Sequence, residues 1–176
     1  MIRKHNIGII LATLIIALAL PHTANASAKS HQQSAYRNMK SGDELIKYKD
    51  YVNAEKSYGN AIEDLHWIRM NCLDSSTRLS GCRLKIRGKE LMHRLLAVSY
   101  TSRSVSRLLQ RKISGAESDA KTALRWNKDN SKAHWVLGII AYGQNNMSKA
   151  RKHYKIVLKL YPRMAAKMLR DMPKLR

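Results

Sequence analysis

The side chains here that could do catalytic or metal chemistry are the histidines at 66, 93, 134 and 153, Cys72 and Cys82, and twelve Asp and Glu residues. Their spacing does not form a site. No H-x-x-x-H or H-E-x-x-H helix motif brings two imidazoles to one metal. No pair of carboxylates is set off by glycines or an apolar pocket. There is no phosphate-cradling glycine loop and no G-x-S-x-G elbow. His153 lies between lysines and reads as a surface residue. The expectation is a chain without catalytic residues, metal or cofactor, whose work is binding.

The two cysteines are ten residues apart and flanked by turn formers (Asp74, Ser75, Ser76, Ser80, Gly81). A C-x-x-C arrangement suited to redox chemistry is absent, and two sulfurs without a nearby histidine pair make a poor zinc site. A structural disulfide between Cys72 and Cys82 is the favoured reading, worth about 2–3 kcal/mol on the chain-entropy model. It suits an oxidising compartment, and the N-terminus points the same way. Arg3 and Lys4 precede an apolar run from Ile7 to Leu20, broken by Pro21. Small-residue patterns follow at Ala24–Ala26 and Ala26–Ala28. Charge, short apolar core and A-x-A is the layout of a secretory signal peptide. As a helix the run reaches only about 21 Å, short of a bilayer's roughly 30 Å core. Residues 1–28 are therefore expected to be removed, leaving 29–176 as one domain, soluble and exported, with the bacterial periplasm the expected compartment.

Formal net charge is +21. Residues 29–64 are neutral, with six basic and six acidic side chains, whereas 65–176 carry 25 basic against six acidic. Two sets of basic residues repeat at helical spacing: Arg103, Arg107 and Arg111, then Arg151, Lys155 and Lys159, continued by Arg163, Lys167 and Arg170. Such a field attracts polyanions. Nucleic acid is the usual partner of a basic chain, but export points instead to envelope polysaccharide, host glycans, lipid head groups or acidic proteins.

The elements that would carry these residues repeat. Ala116, Ala120, Ala123 and Leu124 each stand 34 residues before Ala150, Tyr154, Val157 and Leu158. Gly138 precedes Ala150 by twelve, as Gly42 precedes Ala54, and Tyr58 and Ala61 complete a third copy. Residues 131–164, with Leu137-Gly138, Ala150, Tyr154 and Pro162, resemble a tetratricopeptide repeat. Residues 35–68 resemble one nearly as well. Residues 97–130 match in their second helix only, with Arg103 and Ser104 where leucine and glycine are usual and Lys128 in place of proline. The resemblance implies an all-α fold of three tetratricopeptide-type helical hairpins stacked as a short right-handed superhelix. Residues 69–96 form an insertion containing the cysteine loop. One long helix is expected from about Arg83 to Arg111, with Gly88 a weak point. Ser148 is expected to cap the last repeat's second helix. A C-terminal helix at about 164–172 would lay Met164, Met168, Leu169 and Met172 on the last repeat.

The resemblance also implies a concave ligand groove lined by the first helix of each repeat. Carried over, it comprises Tyr36, Met39, Asp43, Ile46 and Lys47; then Val98, Thr101, Val105, Leu108 and Leu109; then Lys132, Trp135, Ile139 and Tyr142. This lining is mostly apolar and aromatic, and lacks the Lys/Asn set with which some relatives clamp a C-terminal carboxylate. An adaptor holding an apolar peptide segment of an envelope or secretion-complex protein is the leading expectation. A polyanion-binding protein using the basic face is the alternative. The groove could also be covered by the long helix or by a second copy of the chain.

Overall fold

The computed structural model describes residues 27–73 and 86–175, and among them all regular structure is helical. Helix α1 spans 27–47. It is followed by α2 (Tyr51–Ile68), a π-helical turn (Arg69–Leu73), α3 (Ile86–Leu109), α4 (Ile113–Trp126), α5 (Ser131–Gly143), α6 (Met147–Leu160), α7 (Pro162–Asp171) and a 3-10 turn (Pro173–Leu175). Helices adjacent in sequence are packed on one another from α2 onward. The hairpins are α1–α2, α3–α4 and α5–α6, and α7 closes the last. The apolar run Ile7–Leu20, the cleavage patterns before Ser27, Cys82 and the start of the long helix near Arg83 lie outside the described residues.

The three copies share a turn at atomic detail. Lys49, Arg111 and Asn145 occupy the same repeat position, and all have left-handed backbone, with φ of 62°, 61° and 58°. Each donates its N–H to a carbonyl three residues back, of Ile46, Leu108 and Tyr142. The next residue (Asp50, Lys112, Asn146) donates five back, to Leu45, Arg107 and Ala141. This double closure satisfies carbonyls that a helix end leaves free. It also fixes where the next helix begins. Asp50 and Asn146 cap α2 and α6, accepting from the amides of Asn53 and Lys149. Ser148 is not the cap: with the left-handed residue at 145, α6 starts at Met147 and Ser148 falls inside its first turn.

Close approach explains the small residues. A Cβ on Gly42 would stand 2.7 Å from the Tyr58 ring, and one on Gly138 would stand 2.8 Å from the Met168 methyl. The middle repeat solves the same contact differently. It has Ala120 where the others have tyrosine, so there is room for Ser104, whose hydroxyl donates to the Ala116 carbonyl at 2.6 Å. Helix α3 runs unbroken through Gly88. Met168 of α7 and Met172 just past its end are buried beside Ala165 and Leu175, with Met164 and Leu169 half-buried on the same cluster. The methionines are packing.

Candidate functional site

The repeat units do not contain the whole fold. Helix α1 begins about two turns before Ala35, and α3 about three turns before Ala97. Because α1 and α2 are antiparallel, the added start of α1 lies beside the end of α2 and its π turn. These extensions share a core of Ala35, Leu65, Ile68, Cys72, Met92 and Leu96. His31 locks α1 down: its ring stacks on Trp67 at 4.1 Å and its Nδ1 lies 2.7 Å from the Asp64 carboxylate. Trp126 of α4 packs against the same core, under His66, His93 and the Arg69 guanidinium. Burial, reinforced by Arg69 and Arg103, pushes the His66 imidazole below its usual range, consistent with its bond to the Tyr100 hydroxyl at 2.9 Å.

Between the extensions lies a cleft of about 960 Å³. One wall is the face of α1 that bears Ala28, Gln32, Ala35, Tyr36 and Met39, with Lys29, Gln33 and Arg37 at the rim. The other is the start of α3, with Gly88, Leu91, Met92 and Leu95, and Leu65 and Ile68 of α2 form the floor. Both walls follow helical spacing, so each is one continuous stripe. The stripes are open to solvent: Tyr36 is 69% exposed and Leu91 51%. Val98 continues the α3 stripe and is also exposed. Among the described residues no carboxylate lines the cleft, whereas Lys29 and Arg37 do.

Of the groove residues named from sequence, only Tyr36 and Met39 line this cleft. Asp43 accepts the Tyr58 hydroxyl at 2.6 Å, and burial together with that bond raises the phenol's pKa. Ile46 is half-buried and Lys47 exposed at the end of α1. Thr101 is not a lining residue. It is 1% exposed, donates to the Ala97 carbonyl and accepts from Asn130, the residue that caps α5. Val105 and Leu108 are half-buried against the α4–α5 cluster of Ala116, Ala120, Val136 and Ile140. Leu109 is exposed at the end of α3 and Lys132 at the start of α5. Trp135, Ile139 and Tyr142 are half-buried on the cluster that includes Val157 and Met168. The cleft residues at 28, 32, 91, 92 and 95 precede the repeat boundaries, so a reading aligned on repeats passes over them.

The first basic stripe does not exist as a surface. Arg103 grips Asp119 with two bonds of 2.9 and 2.8 Å, and Arg107 bonds the same carboxylate at 2.9 Å and Glu55 at 2.8 Å. Gln110 and Lys112 also bond Glu55. Arg111 sits beyond the helix, in the left-handed turn. Burial alone would raise the Glu55 carboxyl; the bonds from Lys112, Arg107 and Gln110 outweigh it and hold the pKa at about 2. Two acids thus tie α2, α3 and α4 together. Both were missed, although Asp119 carries a signal: it stands on the buried stripe of Ala116, Ala120 and Ala123, where only a paired charge is tolerated.

His153 is not a free surface residue either. Its Nδ1 lies 3.0 Å from Nδ1 of His134, whose Nε2 donates to the Lys128 carbonyl at 3.0 Å. That carbonyl fixes the tautomer, so in the neutral pair His134 Nδ1 accepts and His153 Nδ1 donates. Burial first, then His134, Lys149 and Lys152, lower the His153 pKa to about 4. No group of three or more metal-ligating side chains occurs among the described residues, and no described helix is long and apolar enough to cross a membrane.

The sequence matches no family model and no curated protein. Solved structures do match. The TPR domain of Arabidopsis OM64 is similar over 80% of this chain and 98% of its own, with 20% identity and a TM-score of 0.57. The first TPR of Spaghetti (RPAP3), bound to the HSP90 peptide SRMEEVD, is similar over 81% and 94%, with 21% identity and a TM-score of 0.59. The C-terminal TPR-containing domain of the Plasmodium falciparum protein PFL2275c is similar over 84% and 95%, with 16% identity and a TM-score of 0.61. Likeness at these identities is likeness of fold, and the fold of this chain is that of stacked tetratricopeptide repeats.

Proposed function

We propose that the protein is an exported adaptor that holds an apolar segment of a partner protein in the α1–α3 cleft. The observation that carries this reading is the cleft itself: two facing helical stripes, apolar and aromatic, with Tyr36 and Leu91 left open to solvent. Burying Tyr36 and Leu91 under a ligand would contribute about 2 kcal/mol each, and an aromatic anchor loses little entropy on binding. A peptide-bound neighbour supports the class of ligand. The carboxylate-clamping mode is disfavoured here, because the cleft walls are mostly apolar and aromatic and the groove positions carried over from the repeats lack the Lys/Asn set that such a clamp needs.

Peptides selected from a random library on this protein should carry two or three apolar anchors at helical or alternating spacing. Leu91→Glu should abolish their binding, and Tyr36→Ala should weaken it about tenfold. Peptides that bind both variants as well as the parent would refute the reading. Export is a separate element of the proposal, supported by the layout of residues 1–28. Mass measurement of the protein recovered from the periplasm should place its first residue near Ser27 or Lys29; an intact Met1 on cytoplasmic protein would count against export. The proposal places the partner in a cell-envelope or secretion complex, the setting that export supplies.

The alternative, in which the repeats are scaffold for a polyanion site, loses Arg103 and Arg107 to internal pairs. What remains of it is the basic surface of α6 and α7.

A further inference from the structure

Helices α6 and α7 form an antiparallel pair whose outer side is almost entirely cationic. Arg151, Lys155 and Lys159 follow one helical stripe on α6, and Arg163, Lys167 and Arg170 follow another on α7; all six are exposed. Arg151 donates to the Lys174 carbonyl at 3.3 Å, which places the start of α6 beside the 3-10 turn that follows α7, and α6 packs on α7 as well. No carboxylate among the described residues pairs with any of the six. Like charges at this spacing oppose the helices that carry them. The repulsion is relieved when an anionic surface supplies the counter-charge.

Two apolar side chains interrupt the charge. Leu158 is 45% exposed and Tyr161 is 48% exposed. They lie three residues apart in sequence, with Lys159 between them and Lys155 and Arg163 on either side. An amphipathic ring and an aliphatic anchor set among long cationic chains match the boundary between lipid head groups and acyl chains. A soluble polyanion would use the charges and leave Leu158 and Tyr161 idle. A second copy of the chain would meet its own positive field.

We propose that the α6–α7 face docks the protein on an anionic lipid bilayer, with Leu158 and Tyr161 entering the interface. The docking is independent of the cleft, which lies at the opposite end of the repeat stack and stays free for a peptide. The test is co-sedimentation of protein processed ahead of Ser27, which keeps every described helix, with two vesicle types. One is phosphatidylcholine alone, and the other carries about one-third phosphatidylglycerol. The expected result is binding to the anionic vesicles only, falling steeply as salt rises from about 0.05 to about 0.5 M.

The variants separate the sources of negative charge. Lys155→Glu with Lys159→Glu and Arg163→Glu should reduce anionic-vesicle binding at least tenfold. Leu158→Ser with Tyr161→Ser should weaken it several-fold while leaving retention on a sulfated polysaccharide column unchanged. All five positions are exposed, and far-ultraviolet circular dichroism verifies that each variant keeps its fold. Equal binding to both vesicle types would overturn the proposal. So would vesicle binding that the Leu158/Tyr161 variant leaves untouched, since the face would then be a site for soluble polyanion.

Discussion

At the residue scale the fold depends on a few polar side chains inside a helical stack. Asp119 is the clearest. Its carboxylate is 5% exposed and carries three bonds from Arg103 and Arg107. Asp119→Ala leaves two half-buried guanidinium groups without their shared partner and should cost about 3 kcal/mol, read as a lower denaturant midpoint. The left-handed turn residues predict the opposite sign. A non-glycine residue there carries roughly 1–2 kcal/mol of strain, part of which glycine returns as lost chain entropy. Arg111→Gly should therefore stabilise the protein by about 0.5–1 kcal/mol, visible as a higher Tm. Two acid-sensitive groups add separate pH windows. Folding holds His153 neutral down to about 4, so the unfolded chain, titrating near 6.5, takes up the proton first as pH falls. Stability from this group is complete above 6.5 and drains between 6.5 and about 4. Glu55 acts lower: its contribution is complete above 4.5 and is lost between 4.5 and about 2. In Tm measured against pH, His153→Gln should flatten the upper window and Glu55→Gln the lower. An unchanged profile in either variant would contradict the assigned geometry.

At the element scale, what could be read from sequence was what the repeat itself dictates. Gly42 against Tyr58, Ala150 and its neighbours, and the second helices with their apolar stripes are close-packed positions whose residue types are nearly forced. The start of α1 and of α3 is not forced in that way. It depends on His31, Trp67, Asp64, Met92 and Trp126 meeting across large sequence separations, and pairing of this kind leaves no periodic trace. The same holds for the first basic stripe: spacing by four put Arg103 and Arg107 on one face, but could not tell that Glu55 and Asp119 face them. The extension is thus a distinct unit, and it should loosen separately. Trp67→Ala removes the surface on which His31 stacks and should cost about 3 kcal/mol. Hydrogen exchange should then speed up over residues 27–35, with little change in α5 and α6. Uniform loss of protection would mean that the extension and the repeats unfold as one.

At the scale of the molecule the two ends differ in chemistry. The N-terminal end is near-neutral and presents an apolar cleft; the C-terminal end presents exposed cations around Leu158 and Tyr161 that have no carboxylate partner among the described residues. Such a division suits a protein that grips a partner at one end and rests on an anionic surface at the other. The cleft is the central claim, and it is tested most directly by placing a photo-reactive phenylalanine analogue at a single position in the protein in its native cells. Incorporated at Leu91 or Tyr36, it should yield on irradiation a discrete covalent adduct with one envelope protein. Incorporated at Lys121, exposed on α4 and outside the cleft, it should yield none. Adducts from Lys121 but not from Leu91 or Tyr36 would contradict the account.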